Sequence, residues 1–81
     1  MSWGVVVAYE QRNFRIENRR YCIRLEPEFW GMLEQMAVEQ DIDFRDLIHE
    51  VDRTRTGGER LGSALRCRAI GFYVRRALEL N

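Results

Sequence analysis

The sequence predicts a mainly α-helical domain with a short β-ribbon near its N-terminal end. Three observations support this fold class: apolar and charged residues alternate between positions 14 and 25, a proline follows at position 27, and apolar residues then recur at helical spacing up to position 80. Alternation with a period of two is typical of a half-buried strand, and spacings of three and four are typical of an amphipathic helix. The chain of 81 residues has room for one small domain.

Two short stretches have the pattern of strands. Phe14–Glu17 alternates, Asn18 and Arg19 can form a tight turn without the usual glycine, and Tyr21–Leu25 alternates again. The second stretch puts three apolar residues on one face and three other residues on the opposite face, namely Tyr21, Ile23 and Leu25 against Arg20, Cys22 and Arg24. We expect the first face to enter the core. The second offers two guanidinium groups about 13–14 Å apart to a partner.

Three helices are predicted after the strands. Pro27 suits the first turn of a helix, and an apolar stripe continues from there to about Gln40. Asp43 is a good N-cap for a second helix that ends near Thr54. The third helix is expected from about residue 59 to residue 80. It carries apolar residues on two sides, which indicates several packing neighbours, with another chain as one alternative.

The third helix also holds one of the two cysteines. Cysteine is among the most buried residue types, so Cys67 is expected to be a small core residue. It lies on the second apolar side of the helix together with Ile70, Val74 and Leu78.

We divide the chain into an N-terminal extension, residues 1–18, and a principal domain, residues 19–81. The extension contains a β-prone run, residues 5–9, for which an added strand and a frayed terminus are both open alternatives. A domain this small buries little surface on folding, so association with a second copy is the expected source of additional stability.

The charges are unevenly distributed, although they sum to zero. Residues 1–25 hold five arginines and two glutamates, residues 26–52 hold nine acidic residues and Arg45 alone, and residues 53–81 hold seven arginines and two glutamates. Every cation is arginine, whose planar group binds phosphates, carboxylates and guanine edges through two hydrogen bonds. Two interpretations remain open, nucleic-acid contact by the basic ends and pairing of basic with acidic segments between subunits.

Several function classes lack support in the sequence. His49 is the single histidine and has no partner cluster for catalysis or metal binding, and the two cysteines lack the spacing of a zinc site. No apolar run approaches the roughly 18 residues of a membrane span. We therefore expect a cytoplasmic protein that is not an enzyme, needs no cofactor or metal, and does not associate with membranes.

The order of strand, helix, break and helix resembles the ribbon-helix-helix superfamily of Arc/MetJ-like DNA-binding proteins. The segment from Arg19 to Trp30 is similar to the signature of a small bacterial subfamily, in which basic residues and a strand precede Leu-Glu-x-x-Phe-Trp, here residues 25–30. Residues 47–52 and Ser63-Ala64-Leu65-Arg66 fit the later part of that pattern, which includes an extra C-terminal helix.

The resemblance implies a homodimer, with a larger oligomer as a further alternative, in which a strand from each chain forms a ribbon that enters the DNA major groove. It implies a transcription regulator whose groove-facing residues are Arg20, Cys22 and Arg24. The second helix would bind phosphate through its N-terminal residues Asp43, Phe44 and Arg45. The dimer core would consist of eight residues, Tyr21, Ile23, Leu25, Phe29, Trp30, Leu33, Leu47 and Ile48.

One alternative function is compatible with the same residues. Three carboxylates, those of Asp41, Asp43 and Asp46, surround the proposed phosphate site and oppose an incoming anion. The chain could then be an assembly module that does not bind DNA. In that case its basic ribbon face would be covered by the strand at residues 14–17 or by acidic residues of another subunit.

Overall fold

The computed structural model describes residues 8–80, in which two strands precede three helices. The strands are β1 (Glu10–Ile16) and β2 (Arg19–Leu25), and the helices are α1 (Pro27–Gln40), α2 (Phe44–Thr54) and α3 (Leu61–Glu79). The mainly helical fold class with a short ribbon is confirmed, and so is the additional C-terminal helix. The β-prone run at residues 5–9 lies mostly outside the described residues, and its described part, residues 8 and 9, is not a strand.

The two strands form an antiparallel hairpin within one chain. Ile16 is opposite Arg19 next to the turn, and Glu10 is opposite Leu25 at the far end. The two turn residues, Glu17 and Asn18, have φ angles of 49° and 66°. Positive φ at both central residues is the requirement of a type I′ turn, whose twist matches that of the strands. The turn lies one residue earlier than the sequence predicts.

The pairing of β2 corrects one expectation. A lone strand needs a partner, and we expected the same strand of a second chain. In the structure β1 is that partner, so the strand at residues 21–25 is not isolated, and its stability gives no reason for a second chain. The homodimer remains a prediction. The strand at residues 10–16 lies within the segment that we treat as an extension, and the division at residue 18 is likewise still a prediction.

The core lies between the inner face of the hairpin and the three helices. Six of the eight residues predicted for a dimer core are buried within the single chain, namely Ile23, Leu25, Trp30, Leu33, Leu47 and Ile48. Tyr21 and Phe29 are half-buried and pack against this core. α3 adds Leu61, Ala64, Leu65 and Ala69 to it. Their role at an interface between two chains stays a prediction.

An aromatic cluster holds β1 against α1 and α2. The Phe14 ring lies 5.9 Å from that of Trp30 and 6.0 Å from that of Phe44. The indole Nε1 of Trp30 donates a hydrogen bond of 2.8 Å to the backbone carbonyl of Glu10. The Arg12 guanidinium lies 4.8 Å from the Trp30 ring centre, within the range of a cation–π contact. These contacts fix the ribbon relative to the helices.

The helix boundaries agree closely with the sequence pattern. α1 begins at Pro27 and ends at Gln40, and α2 ends at Thr54, as predicted. The Oδ1 of Asp43 accepts a hydrogen bond of 2.8 Å from the backbone N–H of Arg45, so Asp43 is the N-cap of α2. α3 is two residues later at its start than expected.

The burial of Cys67 differs from the prediction. Its side chain is exposed, because α3 packs on α1 and α2 through the side that bears Leu61, Leu65 and Ala69. The second apolar side of α3 therefore faces outward, and Cys67 with it.

Candidate nucleic-acid interface

The outer face of the ribbon carries polar and basic side chains. Arg12, Phe14 and Ile16 of β1 point inward, and so do Tyr21, Ile23 and Leu25 of β2. The residues that alternate with them point away from the helices. All six residues of this outer face are exposed: Gln11, Asn13, Arg15, Arg20, Cys22 and Arg24. We call these six residues the ribbon face. It contains three arginines and two amides, and no acidic residue.

Cross-strand neighbours on the ribbon face include a pair of like charges. Arg15 is directly opposite Arg20, an arrangement that destabilises a hairpin unless an anion lies nearby. At the other end, Nε of Arg24 donates a hydrogen bond of 3.1 Å to Oε1 of Gln11. This bond orders the Arg24 side chain and leaves its terminal guanidinium nitrogens available to a ligand.

Ion pairs elsewhere in the chain explain why the ribbon face is basic although the net charge is zero. Arginines from the first and last thirds of the sequence bind acidic residues of the middle third within the same chain. Five such pairs are Arg12 with Glu34, Arg55 with Asp52, Arg66 with Glu26, Arg68 with Glu50 and Arg76 with Glu39. Among residues 8–80, the arginines of the ribbon face form no ion pair, so their charge is not neutralised by the chain itself.

The Arg12 side chain points inward and is held by two carboxylates. It lies 2.6 Å from a carboxylate oxygen of Glu10 and 2.6 Å from one of Glu34. Burial of the guanidinium opposes its charge, but the hydrogen bonds to Glu10 and Glu34 outweigh that effect and raise the pKa of Arg12 above its ordinary value. Arg12 is therefore a structural cation that joins β1 to α1.

The beginning of α2 lies beside the ribbon. Arg45 is exposed and lines one shallow surface pocket together with Asn13, Arg15 and Arg20. Phe44 packs its ring against Phe14, so it positions the helix and is only half-exposed. The backbone N–H of Arg45 already donates its hydrogen bond to the Asp43 carboxylate. The resemblance assigned that N–H to phosphate binding. At the beginning of α2, the Arg45 side chain rather than a backbone amide is the group with the right charge for an anion.

A second basic border runs along β2. Cys22 and Arg24 line a groove with Arg60 and Arg66, which lie at the beginning of α3. Arg66 is anchored by Glu26, since its guanidinium nitrogens lie 2.5–3.3 Å from the two carboxylate oxygens. Hydrogen bonds from Arg66 lower the pKa of the Glu26 carboxyl, and the same bonds raise the pKa of Arg66. Arg60 has no such partner in the described part of the chain.

Sequence reasoning found half of the ribbon face. Arg20, Cys22 and Arg24 lie together on it, and Arg45 is near one end. Gln11, Asn13 and Arg15 were missed as site residues. Arg15 lies between the apolar residues Phe14 and Ile16. Continuing the alternation toward the N-terminus in steps of two residues, to Asn13 and Gln11, would have identified the other two.

The sequence of this chain matches a known protein family. The family model described as the ribbon-helix-helix domain matches residues 9–73, which is most of the chain. The chain belongs to this family. The match begins at the start of the hairpin and ends within α3, so it covers both strands of the ribbon. Searches among curated proteins and among solved structures found no match.

Ribbon-helix-helix proteins are typically DNA-binding transcription regulators that form dimers, and the fold is a regulatory one rather than an enzymatic one. Residues 8–80 contain no cluster of three or more potential metal ligands. Within residues 8–80, none of the three helices is long and apolar enough to cross a membrane.

Proposed function

We propose that this ribbon-helix-helix protein is a sequence-specific DNA-binding regulator that reads the major groove with its β1–β2 ribbon. The observation that carries the proposal is the composition of the ribbon face, which has three arginines and two amides and lacks any carboxylate. An arginine pair placed directly across the two strands raises the energy of the free protein, and a nucleic-acid phosphate or guanine edge would relieve that repulsion.

The dimensions of the ribbon suit the groove. Two strands lie about 4.8 Å apart, and the major groove is about 12 Å wide, so a two-stranded ribbon with side chains fits. Joining β2 to the β2 of a second chain would give four strands that span about 14 Å between the outer backbones, which exceeds the groove. The proposal therefore uses the hairpin of a single chain as one reading unit.

The side chains of the ribbon face have distinct roles in this proposal. Arginine binds guanine O6 and N7 through two hydrogen bonds, so Arg20 and Arg24 are the proposed guanine readers. Asparagine and glutamine bind adenine N6 and N7, which makes Asn13 and Gln11 the proposed adenine readers. Cys22 offers only a weak donor, so we assign it no base.

Phosphate contacts flank the reading unit. Arg45 lies near the turn end of the ribbon and Arg60 along β2, so each could bind one DNA backbone strand as a positioning contact. The Asp43 carboxylate caps α2 and competes for the amide that a phosphate would need. Side-chain cations rather than helix amides therefore supply these contacts.

The alternative, an assembly module with a covered ribbon face, finds less support in the described residues. β1 lies beside β2 and leaves its outer face open, so the strand at residues 14–17 does not cover Arg20 and Arg24. The acidic residues expected to pair with basic ends of another subunit pair instead within the chain.

The test measures binding of fluorescent duplexes by anisotropy at several salt concentrations. A pool of random duplexes is used first, and selected sequences follow. We expect Arg20→Ala and Arg24→Ala each to weaken binding to a selected duplex by about 1–3 kcal/mol, because each loses a bidentate contact. Arg45→Ala should weaken binding to all duplexes equally and reduce the slope of log K against log salt by about 0.9.

Arg53→Ala is the matched control, because Arg53 is exposed near the end of α2 and lies outside the ribbon face and its pockets. It should leave the affinity nearly unchanged, and circular dichroism should show that every variant is folded. Absence of duplex binding by the wild-type chain at low salt, or equal losses for Arg20→Ala and Arg53→Ala, would refute the proposal.

A further inference from the structure

A groove lies between β2 and the beginning of α3, and we call it the β2–α3 groove. Its volume is about 480 Å³, which is within the range of sites that bind small molecules. Of the residues in the range 8–80 that line it, none is acidic and four are arginines, namely Arg24, Arg55, Arg60 and Arg66. The groove is therefore a concave site with cationic walls.

Half of this positive charge is neutralised by the chain itself. Two of the four arginines bind carboxylates, namely Arg55 to Asp52 at 2.9 Å and Arg66 to Glu26 at 2.5 Å. Arg24 and Arg60 form no ion pair within residues 8–80. Glu59, the acidic residue next to Arg60 in the sequence, lines a different pocket. The groove thus offers two positive charges to a ligand.

The other walls of the groove suit a small ligand with a polar end and an apolar body. The exposed Ser63 side chain provides a hydroxyl, and Tyr21 and Ile23 provide apolar surface. Gly62 keeps the space between helix and strand open. A Cβ at that position would lie 3.8 Å from Cδ2 of Leu25 and 3.9 Å from Cγ2 of Ile23, so a longer side chain would fill the gap.

We propose that the β2–α3 groove binds a small molecule through a terminal phosphate group, and that this ligand and DNA exclude each other. A terminal phosphate carries nearly two negative charges at neutral pH and three acceptor oxygens. Two charges match the guanidinium groups of Arg24 and Arg60, each of which binds phosphate oxygens through parallel hydrogen bonds. The Ser63 hydroxyl is a further donor. A phosphodiester of DNA carries a single charge, so it would leave one of the two cations without a counterion.

The exclusion of DNA rests on the proposed function, whereas binding of the small ligand does not. Arg24 is the proposed guanine reader and Arg60 a proposed contact to the DNA backbone, and both would be occupied by the ligand. The ligand would also bring negative charge to the edge of the ribbon face, where it repels DNA phosphates. Such a molecule would release the protein from its DNA site.

The first experiment measures how phenyl phosphate protects thiols from alkylation by iodoacetamide at about pH 8, where a phosphate monoester is doubly charged. Cys22 lines the groove and Cys67 does not, and both are exposed, so Cys67 is a control within the same molecule. We expect saturable protection of Cys22 and an unchanged rate at Cys67, resolved by peptide mass spectrometry. An unchanged rate at Cys22, or equal protection of both thiols, would overturn the proposal.

The second experiment repeats the titration with folded variants, checked by circular dichroism. We expect Arg24→Ala and Arg60→Ala each to weaken phenyl phosphate binding by about ten-fold, because each loses hydrogen bonds to a charged group. Arg53→Ala is the matched control, since Arg53 is exposed and lies outside the groove. Arg20→Ala should weaken binding to a duplex without changing that of phenyl phosphate. Equal losses for Arg53→Ala and Arg60→Ala would indicate general charge attraction and overturn the site.

The third experiment distinguishes a terminal phosphate from the DNA backbone. Methyl phenyl phosphate is a singly charged diester, so we expect it to bind about ten-fold more weakly than phenyl phosphate. Equal affinities would assign the groove to the backbone of DNA and overturn the small-molecule proposal.

Competition with DNA is measured by anisotropy at constant ionic strength. Phenyl phosphate should displace a fluorescent duplex over the concentrations at which it protects Cys22. Protection of Cys22 while the duplex stays bound would refute the exclusion. Absence of duplex binding without phenyl phosphate would overturn the proposed function and the exclusion with it, whereas protection of Cys22 would still establish the ligand site.

Discussion

The Trp30 side chain connects the ribbon to the helices through three kinds of contact. It is buried, with 1% of its surface exposed, and its ring contacts Phe14 and Phe44. Its N–H satisfies the carbonyl of Glu10 at the start of β1, and its face receives the Arg12 guanidinium. The contacts of this one α1 residue therefore help to hold the first strand of the ribbon against the helices.

Trp30→Phe should lower the free energy of unfolding by about 1–3 kcal/mol. The substitution retains an aromatic ring but leaves the Glu10 carbonyl without its donor and opens space in the core. Urea unfolding followed by circular dichroism measures the change. Tyr9→Phe is the control, because Tyr9 is 57% exposed, and its effect should stay within about 0.5 kcal/mol. A loss for Trp30→Phe no larger than that of Tyr9→Phe would show that the Trp30 contacts contribute little.

At the scale of elements, local signals account for most of the fold. Pro27 and Asp43 determine where α1 and α2 begin because each acts on the backbone of its own helix. The start of β1 was missed, since its inward position 12 holds an arginine where a strand facing a core normally has an apolar residue. That arginine faces the core only because Trp30, Glu10 and Glu34 surround it, and these contacts depend on tertiary structure.

The β1 half of the ribbon face and the exposure of Cys67 were missed for a related reason. Gln11 and Asn13 join the site only once β1 pairs with β2, a pairing that nothing local to residues 10–13 indicates. α3 has apolar residues on two sides, and the pattern does not show which side meets α1 and α2. The rotation of α3 about its axis is decided by packing of Leu61, Leu65 and Ala69.

The junction between β2 and α1 is joined to α3 by the Glu26–Arg66 ion pair, and this pair should make stability depend on pH. The pKa of Glu26 is lower in the folded chain than its ordinary value of 4.5, because Arg66 binds the carboxylate. Its contribution is therefore complete above the unfolded pKa and is lost as the pH falls through the folded one.

We expect Glu26→Gln to reduce the free energy of unfolding by a constant amount at pH values well above 4.5, the ordinary pKa of Glu26, and by progressively less as the pH falls below that value. Urea unfolding of wild type and Glu26→Gln across this range measures the difference. Glu28→Gln is the matched control, since Glu28 lies exposed in the first turn of α1 and forms no ion pair within residues 8–80. A difference between wild type and Glu26→Gln that does not change with pH would contradict the assignment.

At the scale of the whole molecule, most of the ion-paired arginines lie away from the ribbon face, and the positive charge of the ribbon face, unpaired within residues 8–80, is exposed. The carboxylates of the middle segment neutralise Arg55 just after α2, arginines of α3 and Arg12 on the inner side of β1, while the ribbon face keeps its charge. The outward side of α3 is apolar and exposes Ile70, Val74 and Leu78. The domain thus presents one cationic surface and one apolar surface on different elements.

Folding of the single chain should not require association. The ribbon and the core are both formed within one chain, so the urea midpoint should stay the same on about a hundred-fold dilution. Circular dichroism at each concentration measures the midpoint. A midpoint that falls with dilution would show that folding is coupled to a contact between chains.

Under the proposed function, the intrachain hairpin has a consequence for how DNA binding depends on the concentration of the chain. When a recognition element is shared between two polypeptides, it disappears at low expression levels, and occupancy of a target then rises with a power of concentration greater than one. A chain that closes its ribbon with a two-residue loop has that element intact as soon as synthesis ends. Its occupancy of a single site would follow a simple hyperbola, and any steeper response would have to come from contacts between neighbouring bound copies.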